Sequence, residues 1–361
     1  MKDKIYYEVK DDLERYPEAW AYLIIGGRNT GKTYGALSYF LDQSETIIFI
    51  KRNNNDIDTL CAGNQLGKKA ADYDIDLSPY KPINRDRGTH IKAFKIKDGL
   101  GAFYKINDEG CASGSPLAYL VSLFAVSKIK GFDLSECTAM VFDEFIPQPW
   151  DRIQRKEGEQ LMDLYKTVSR DRVERGQPEL KLICLANAVN VYNPTMEILE
   201  LTDQVSEMVA KDQEAFMDPE RGIFLRLLKT PEKMKQKEQE TGLYKSMKNT
   251  NWGRMAFENE FGYNDFSRIK RQALKGFRPV CALTYKIKTW YVYINDQGIY
   301  YMCSSRSNTD QIFNLNTETG AKNFYYEMAI DLMNAAIEDR MYFEKYGMYD
   351  LIMNYKKRFI I

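Results

Sequence analysis

Residues 23–33 read LIIGGRNTGKT, and within them Gly26-x-x-x-x-Gly31-Lys32-Thr33 has the spacing of a loop that wraps phosphate. Three apolar residues run into it, and the helix-like stretch KTYGALSYFLDQ (32–43) runs out of it. The loop therefore stands where a strand becomes a helix. Glycine there frees the backbone of residues Gly26, Gly27, Arg28, Asn29, Thr30 and Gly31 to aim N–H groups at phosphates, and the helix N-terminus adds positive potential. Lys32 is placed for the β and γ phosphates of ATP, and the Thr33 hydroxyl for Mg2+. Such a loop requires an acid at the end of another strand, and AMVFDEF supplies it. Asp143 is the expected partner of the metal. Glu144, a second carboxylate directly after it, is the expected base that polarises an attacking water.

Other candidates are weaker. Asn187, at the end of LICLAN, is either a sensor of the γ-phosphate or the cap of a turn. Arg170 and Arg172 follow the helical run EQLMDLYKTVSR (159–170). An arginine there either reaches a neighbouring subunit's nucleotide or complements the helix dipole, and the residues alone favour the dipole. The loop after Glu144, from Pro147 to Glu157, carries Arg152, Arg155 and Lys156 as candidate DNA contacts. Lys51, Arg52, Lys128 and Lys130 could each reach phosphate, or each be a solvated charge. SRIKRQALKGFR carries five basic residues from Arg268 to Arg278 and no acid, so it either tracks a phosphate backbone or is a solvated face.

These residues need a scaffold, and the elements around them suggest one. WAYLII (20–25), TIIFI (46–50), AMVF (139–142) and LICLA (182–186) are apolar at consecutive positions, as strands covered on both faces of a parallel sheet are. Helical patterns alternate with them, and the helix 159–170 should bury Leu161, Leu164, Tyr165 and Val168. The expectation is an α/β domain over 1–205, a polar linker over 206–259, and a smaller α+β domain over 260–361. That last domain should hold a hairpin, LTYKIKTWYVYI (283–294) and IYYMCS (299–304) around NDQG, then two helical stretches.

Composition removes several classes. The 361 residues carry 51 Lys plus Arg against 51 Asp plus Glu, so any nucleic-acid contact must come from a local patch. Six scattered cysteines, none in a C-x-x-C pair, and one histidine argue against zinc and suit a reducing cytoplasm. The first residues are too charged for a signal peptide, and PLAYLVSLFAV (116–126) is too short to span a bilayer. A soluble, intracellular protein with no membrane partner is expected.

The motifs GGRNTGKT, FIKRN, VFDEFI, LMDLYKTVSRDR and LANAVNVYNP, in this order, resemble the DNA-encapsidation ATPases of small short-tailed phages. TWYVYINDQGIYYM is similar to their C-terminal domain. The resemblance covers most of the chain. It implies a P-loop NTPase domain of the additional-strand, catalytic-glutamate type with a mostly parallel sheet, followed by an RNase H-like domain. It implies Walker A residues Lys32 and Thr33 on ATP and Mg2+, Asp143 as the Walker B acid, and Glu144 activating water. Arg170 then matches an arginine finger given in trans, Lys130 a second trans-acting basic residue, and Arg52 an arginine acting within its own subunit. Residues 147–157 match a pore loop that touches DNA. The implied partners are double-stranded DNA, the viral portal or connector of a procapsid, a scaffold RNA, and further copies of the chain in a ring, pentameric in that family. The implied location is the cytoplasm of the infected host cell, transiently at the procapsid vertex. CALTYKIKTWYVYI has no Asp or Glu, and two-metal cleavage needs clustered carboxylates, so nuclease activity is not expected. The function expected is a genome-packaging motor. The alternatives are another DNA-translocating ring ATPase or a nucleotide-switched binding protein.

Overall fold

The computed structural model describes residues 6–359 apart from 71–75, 127–131, 149, 152, 155, 171, 259, 260, 262, 263 and 265. The chain forms two compact units, 1–199 with 212–263, and 200–211 with 264–361.

The first unit is built on one sheet of nine strands. They are β1 (Ala21–Ile25), β2 (Ile47–Lys51), β3 (Ile91–Lys97), β4 (Leu100–Ile106), β5 (Ala112–Ser122), β6 (Ala139–Asp143), β7 (Lys181–Ala186), β8 (Ala215–Asp218) and β9 (Ile223–Leu227). Their order is β3-β4-β5-β2-β6-β7-β1-β9-β8. From β5 to β9 every pairing is parallel, and antiparallel strands close both edges. The four expected strands are the centre of this sheet, β1, β2, β6 and β7. Each is buried on both faces, which is why each reads as an unbroken apolar run. One face carries Tyr22, Ile24, Phe49, Val141 and Ile183, and the helix Lys32–Gln43 packs Ala36, Leu37 and Phe40 into that core. Each large side chain buried this way contributes about 1.5–3 kcal/mol.

Parallel pairing has one consequence for function. The carboxyl ends of β1, β2, β6 and β7 share one edge of the sheet, and there residues 26–31, Lys51, Asp143 and Asn187 meet. Strand β7 lies between β1 and β6, so the glycine loop and the Asp143–Glu144 pair are two strands apart.

The second unit has five strands, β10 (Phe277–Tyr285), β11 (Lys288–Asn295), β12 (Tyr300–Cys303), β13 (Ile312–Asn314) and β14 (Met341–Phe343), in the order β13-β10-β11-β12-β14. The first three form an antiparallel meander, and β13 and β14 add to its edges in parallel. Helices Glu318–Phe324, Ile330–Ile337 and Tyr346–Met353 bury Phe324, Leu332, Leu351 and Ile352 in the same core as Cys281, Val292 and Met302. The observed architecture is thus a mixed α/β unit with a parallel-rich sheet and a smaller α+β unit.

Four sequence expectations differ from this. Residues 206–259 are not a plain linker, because β8 and β9 extend the main sheet and β9 pairs with β1. The helix Thr202–Ala210 groups with the second unit. The run 283–294 is not one strand but the end of β10, a turn and β11. Lys286 takes φ 55°, and both its backbone N–H and carbonyl bond the Asn316 side chain, so an asparagine thirty residues away makes a turn that lacks glycine. The first helical stretch expected after the hairpin, residues 321–346, also stops at Glu338, and β14 follows.

Candidate nucleotide-binding site

The loop after β1 is shaped by its own lysine. The Lys32 ammonium donates to the carbonyls of Gly26 at 3.1 Å and Gly27 at 2.6 Å, and to Thr30 Oγ1 at 3.2 Å. It also donates to Asn187 Oδ1 at 3.4 Å, which joins the end of β7 to the loop. Gly31 caps the helix at φ 88°, where a side chain would be strained. Gly26 has a different reason to be glycine, since a Cβ there would lie 2.7 Å from the Leu228 Cβ just after β9.

The acid meets the loop as the motif predicts. Thr33 Oγ1 donates to Asp143 Oδ1 at 2.8 Å. Glu144, one residue on, has φ 60°, so the chain turns off the sheet there. Its side chain is 66% exposed, against 13% for Asp143. Lys51, at the end of β2, holds both acids, with Nζ 2.9 Å from Asp143 Oδ2 and 3.0 Å from Glu144 Oε2.

The charges respond to this placement. Burial lowers the Lys32 pKa to about 8, against a smaller upward pull from Asp143. Burial acts in the same direction on Lys51, but the Asp143 and Glu144 carboxylates outweigh it and hold that ammonium above the ordinary lysine range. The result is an open cavity of about 390 Å3 lined by Arg28–Tyr34, Asp143, Glu144 and Leu185–Asn187. It presents the Lys32 ammonium, the Arg28 guanidinium, two carboxylates, the two threonine hydroxyls and the N-terminus of a twelve-residue helix. That set suits a polyphosphate with a divalent cation.

Of the expected site residues, Arg28, Asn29, Thr30, Gly31, Lys32, Thr33, Asp143, Glu144 and Asn187 come together here. Gly26 and Gly27 contribute carbonyls to Lys32 from behind. Arg52 does not line the cavity. It is buried, with Nε 3.1 and 3.0 Å from the Glu157 carboxylate oxygens and Nη2 3.2 and 3.0 Å from the carbonyls of Glu144 and Phe145. Asp151 lies 3.7 Å from its Nη1. One guanidinium therefore ties together the backbone at Glu144, the following loop and the start of the helix Glu157–Ser169. The sequence gives no hint of the Glu157 partner, 105 positions away.

Arg170 is exposed at the end of that helix, with φ 31°, and donates to the carbonyls of Thr167 and Phe132, both at 3.0 Å. Arg172 is buried on the carbonyls of Ser135, Cys137 and Pro178, a structural role that leaves Arg170 as the available arginine of the pair. Lys156 is exposed and 3.3 Å from Glu159. Lys128, Lys130, Arg152 and Arg155 lie outside the described residues.

The Arg52–Glu157 pair carries a stability prediction. Removing one partner leaves the other as an uncompensated buried charge, so Arg52→Ala should destabilise the first unit by roughly 3–5 kcal/mol. Burial already pushes the Glu157 carboxyl up, against the pull of Arg52. Urea denaturation followed by circular dichroism measures this, and a loss below about 1 kcal/mol, as for a surface pair, would contradict the buried geometry.

The family model for the Podovirus DNA encapsidation protein (Gp16) matches residues 92–342. The DNA packaging protein of Bacillus phage B103 is 23% identical over 344 residues, covering 94% of this chain and 87% of that protein. The DNA packaging protein of Bacillus phage phi29 is 23% identical over 331 residues, covering 86% of each. Among solved structures, a chain of the bacteriophage Phi-29 viral genome packaging motor assembly superposes with a TM-score of 0.65 at 18% identity, over 99% of this chain and 100% of that one.

Proposed function

The chain belongs to the Podovirus DNA encapsidation protein (Gp16) family, and from that premise we propose that it is the ATP-hydrolysing subunit of a motor that drives double-stranded viral DNA into a preformed capsid. The observation that carries this reading is the meeting of Thr33 with Asp143 at 2.8 Å beside Lys32, with the exposed Glu144 next in the chain. The position of β7 between the loop strand and the acid strand supports the additional-strand P-loop assignment.

Residues 28–33 fit a triphosphate, because their backbone is already curled about the helix N-terminus. Lys32 exchanges the loop carbonyls and Asn187 for β and γ phosphate oxygens, whose negative charge favours its ammonium form. Thr33 Oγ1 and Asp143 fit Mg2+, being two adjacent oxygens at the cavity wall. When bound, that ion neutralises charge on the phosphates. Glu144 accepts the proton of the attacking water. Lys51 Nζ, 3.0 Å from Glu144 Oε2, orients that carboxylate. Arg170 acts on the nucleotide of the next subunit in a homomeric ring, pentameric as in the family resemblance, and residues 147–157 touch DNA.

The smaller unit is assigned as RNase H-like and without nuclease activity, a docking domain for the portal or for a scaffold RNA. Its antiparallel meander with parallel edge strands supports the fold, and β10, β11 and β12 contain no carboxylate.

Steady-state ATP hydrolysis with and without long linear double-stranded DNA, at low and moderate salt, tests the motor reading. The expected result is several-fold stimulation by DNA that fades as salt rises, because backbone contacts release counterions. Slow hydrolysis indifferent to DNA and to empty capsids would favour the nucleotide-switched binding protein instead.

A further inference from the structure

The cavity described above accounts for phosphates and metal but offers little to a nucleobase. Among the described residues Tyr34 is its one aromatic lining residue, and that ring packs against the core while its hydroxyl engages Arg87. A second aromatic stands beside the loop. The chain ahead of the helix Val9–Arg15 runs along the glycine loop, where Tyr7 donates its N–H to the Thr30 carbonyl at 2.9 Å. The Tyr7 carbonyl comes so close to Gly35 that a Cβ there would lie 2.9 Å from it. The Tyr7 hydroxyl donates to Asp12 Oδ2 at 2.8 Å, and Asp12 pairs with Arg226 of β9. The Tyr7 hydrogen bond to Thr30, its close approach to Gly35 and the Tyr7–Asp12–Arg226 chain thus hold this short segment beside the loop, its helix and the sheet.

Tyr6 is the next residue back, and it lies over Gly31. A Cβ on Gly31 would be 3.0 Å from the Tyr6 Cβ and 3.5 Å from its ring. The Tyr6 side chain is nevertheless 59% exposed. The exposed ring adjoins the N-terminus of the helix that begins at Lys32, on a segment tied to the glycine loop. We infer that Tyr6 is a nucleobase platform, whose ring stacks on the base of the nucleotide whose phosphates the loop holds. This rests on the nucleotide reading of the site. Base–aromatic stacking tolerates any base, because each presents a π face. Tyr6 therefore supplies affinity for a nucleoside over a bare polyphosphate, with choice among bases left to other groups.

The test compares ATP with inorganic triphosphate, each with Mg2+, by calorimetric titration of the full chain. Tyr6→Ala should weaken ATP about tenfold, the effect of losing one stacked base, and leave triphosphate within twofold of wild type. Tyr6→Phe keeps the ring and should bind ATP within twofold of wild type. A Tyr6→Ala protein that binds ATP as wild type does overturns the proposal. So does equal weakening of ATP and triphosphate, which would make Tyr6 a support of the loop. If the wild-type chain binds triphosphate as tightly as ATP, no platform exists although the phosphate site does. If it binds neither, the nucleotide reading fails and takes the platform with it.

Discussion

Glu144→Gln is expected to bind MgATP as wild type does and to lose hydrolysis by 10^2- to 10^4-fold, the range that a positioned general base supplies. The expectation separates Glu144 from its neighbour. Asp143 is spoken for by the Thr33 hydroxyl and Lys51, and it is mostly buried. Glu144 has turned off the strand at φ 60° and, among the described residues, pairs with Lys51, with its carboxylate largely in water. Glutamine has the same shape and the same backbone preferences, so the turn persists. Lys51 retains Asp143. What is lost is the capacity to take a proton. Single-turnover hydrolysis beside an ATP titration reads the two effects independently. Normal turnover would remove Glu144 as the base, and loss of binding together with turnover would place it in the phosphate or metal site instead.

That site was legible because each of its parts is local. The glycine spacing of 26–33, the acids after AMVF and the asparagine after LICLA are all strand-end signals, and parallel pairing brings strand ends to one edge. What the residues did not reveal depends on partners far along the chain. Strand β9 has only Ile223, Phe224 and Leu225 as a buried run, set in polar surroundings, and its place beside β1 follows from pairing across some two hundred positions. Strands β3 to β5 are partly exposed along their length, so they lack the continuous apolar pattern of central strands. The Lys286 turn is made by Asn316 and not by a local glycine. Arg52 looked like a phosphate ligand because it ends a strand beside the acids, and the buried Glu157 claims it. Charge type and strand-end position are readable in a sequence, whereas the choice between a ligand and a buried carboxylate is made by tertiary packing.

The second large effect is expected at Arg170. An arginine finger given in trans is worth about 10^3 or more in turnover, so Arg170→Ala should bring hydrolysis close to the Glu144→Gln level while leaving the fold intact. The fold should survive because Arg170 is exposed and its bonds to the Thr167 and Phe132 carbonyls are solvent-facing, whereas Arg172 carries the buried contacts. The side chain is absent from the lining of its own subunit's cavity. The trans role therefore calls for a second copy. Mixing supplies the decisive experiment. Lys32→Ala subunits cannot bind phosphate productively but still offer Arg170, and Arg170→Ala subunits hold an intact cavity. Each is nearly inactive alone. Together they should recover hydrolysis, highest near equal proportions, because an Arg170→Ala site next to a Lys32→Ala subunit is complete. Recovery also requires contact between copies, so it should fall on dilution. Failure to recover at any ratio, with mixed assemblies verified by sedimentation, would mean that Arg170 serves its own subunit or only the end of its helix.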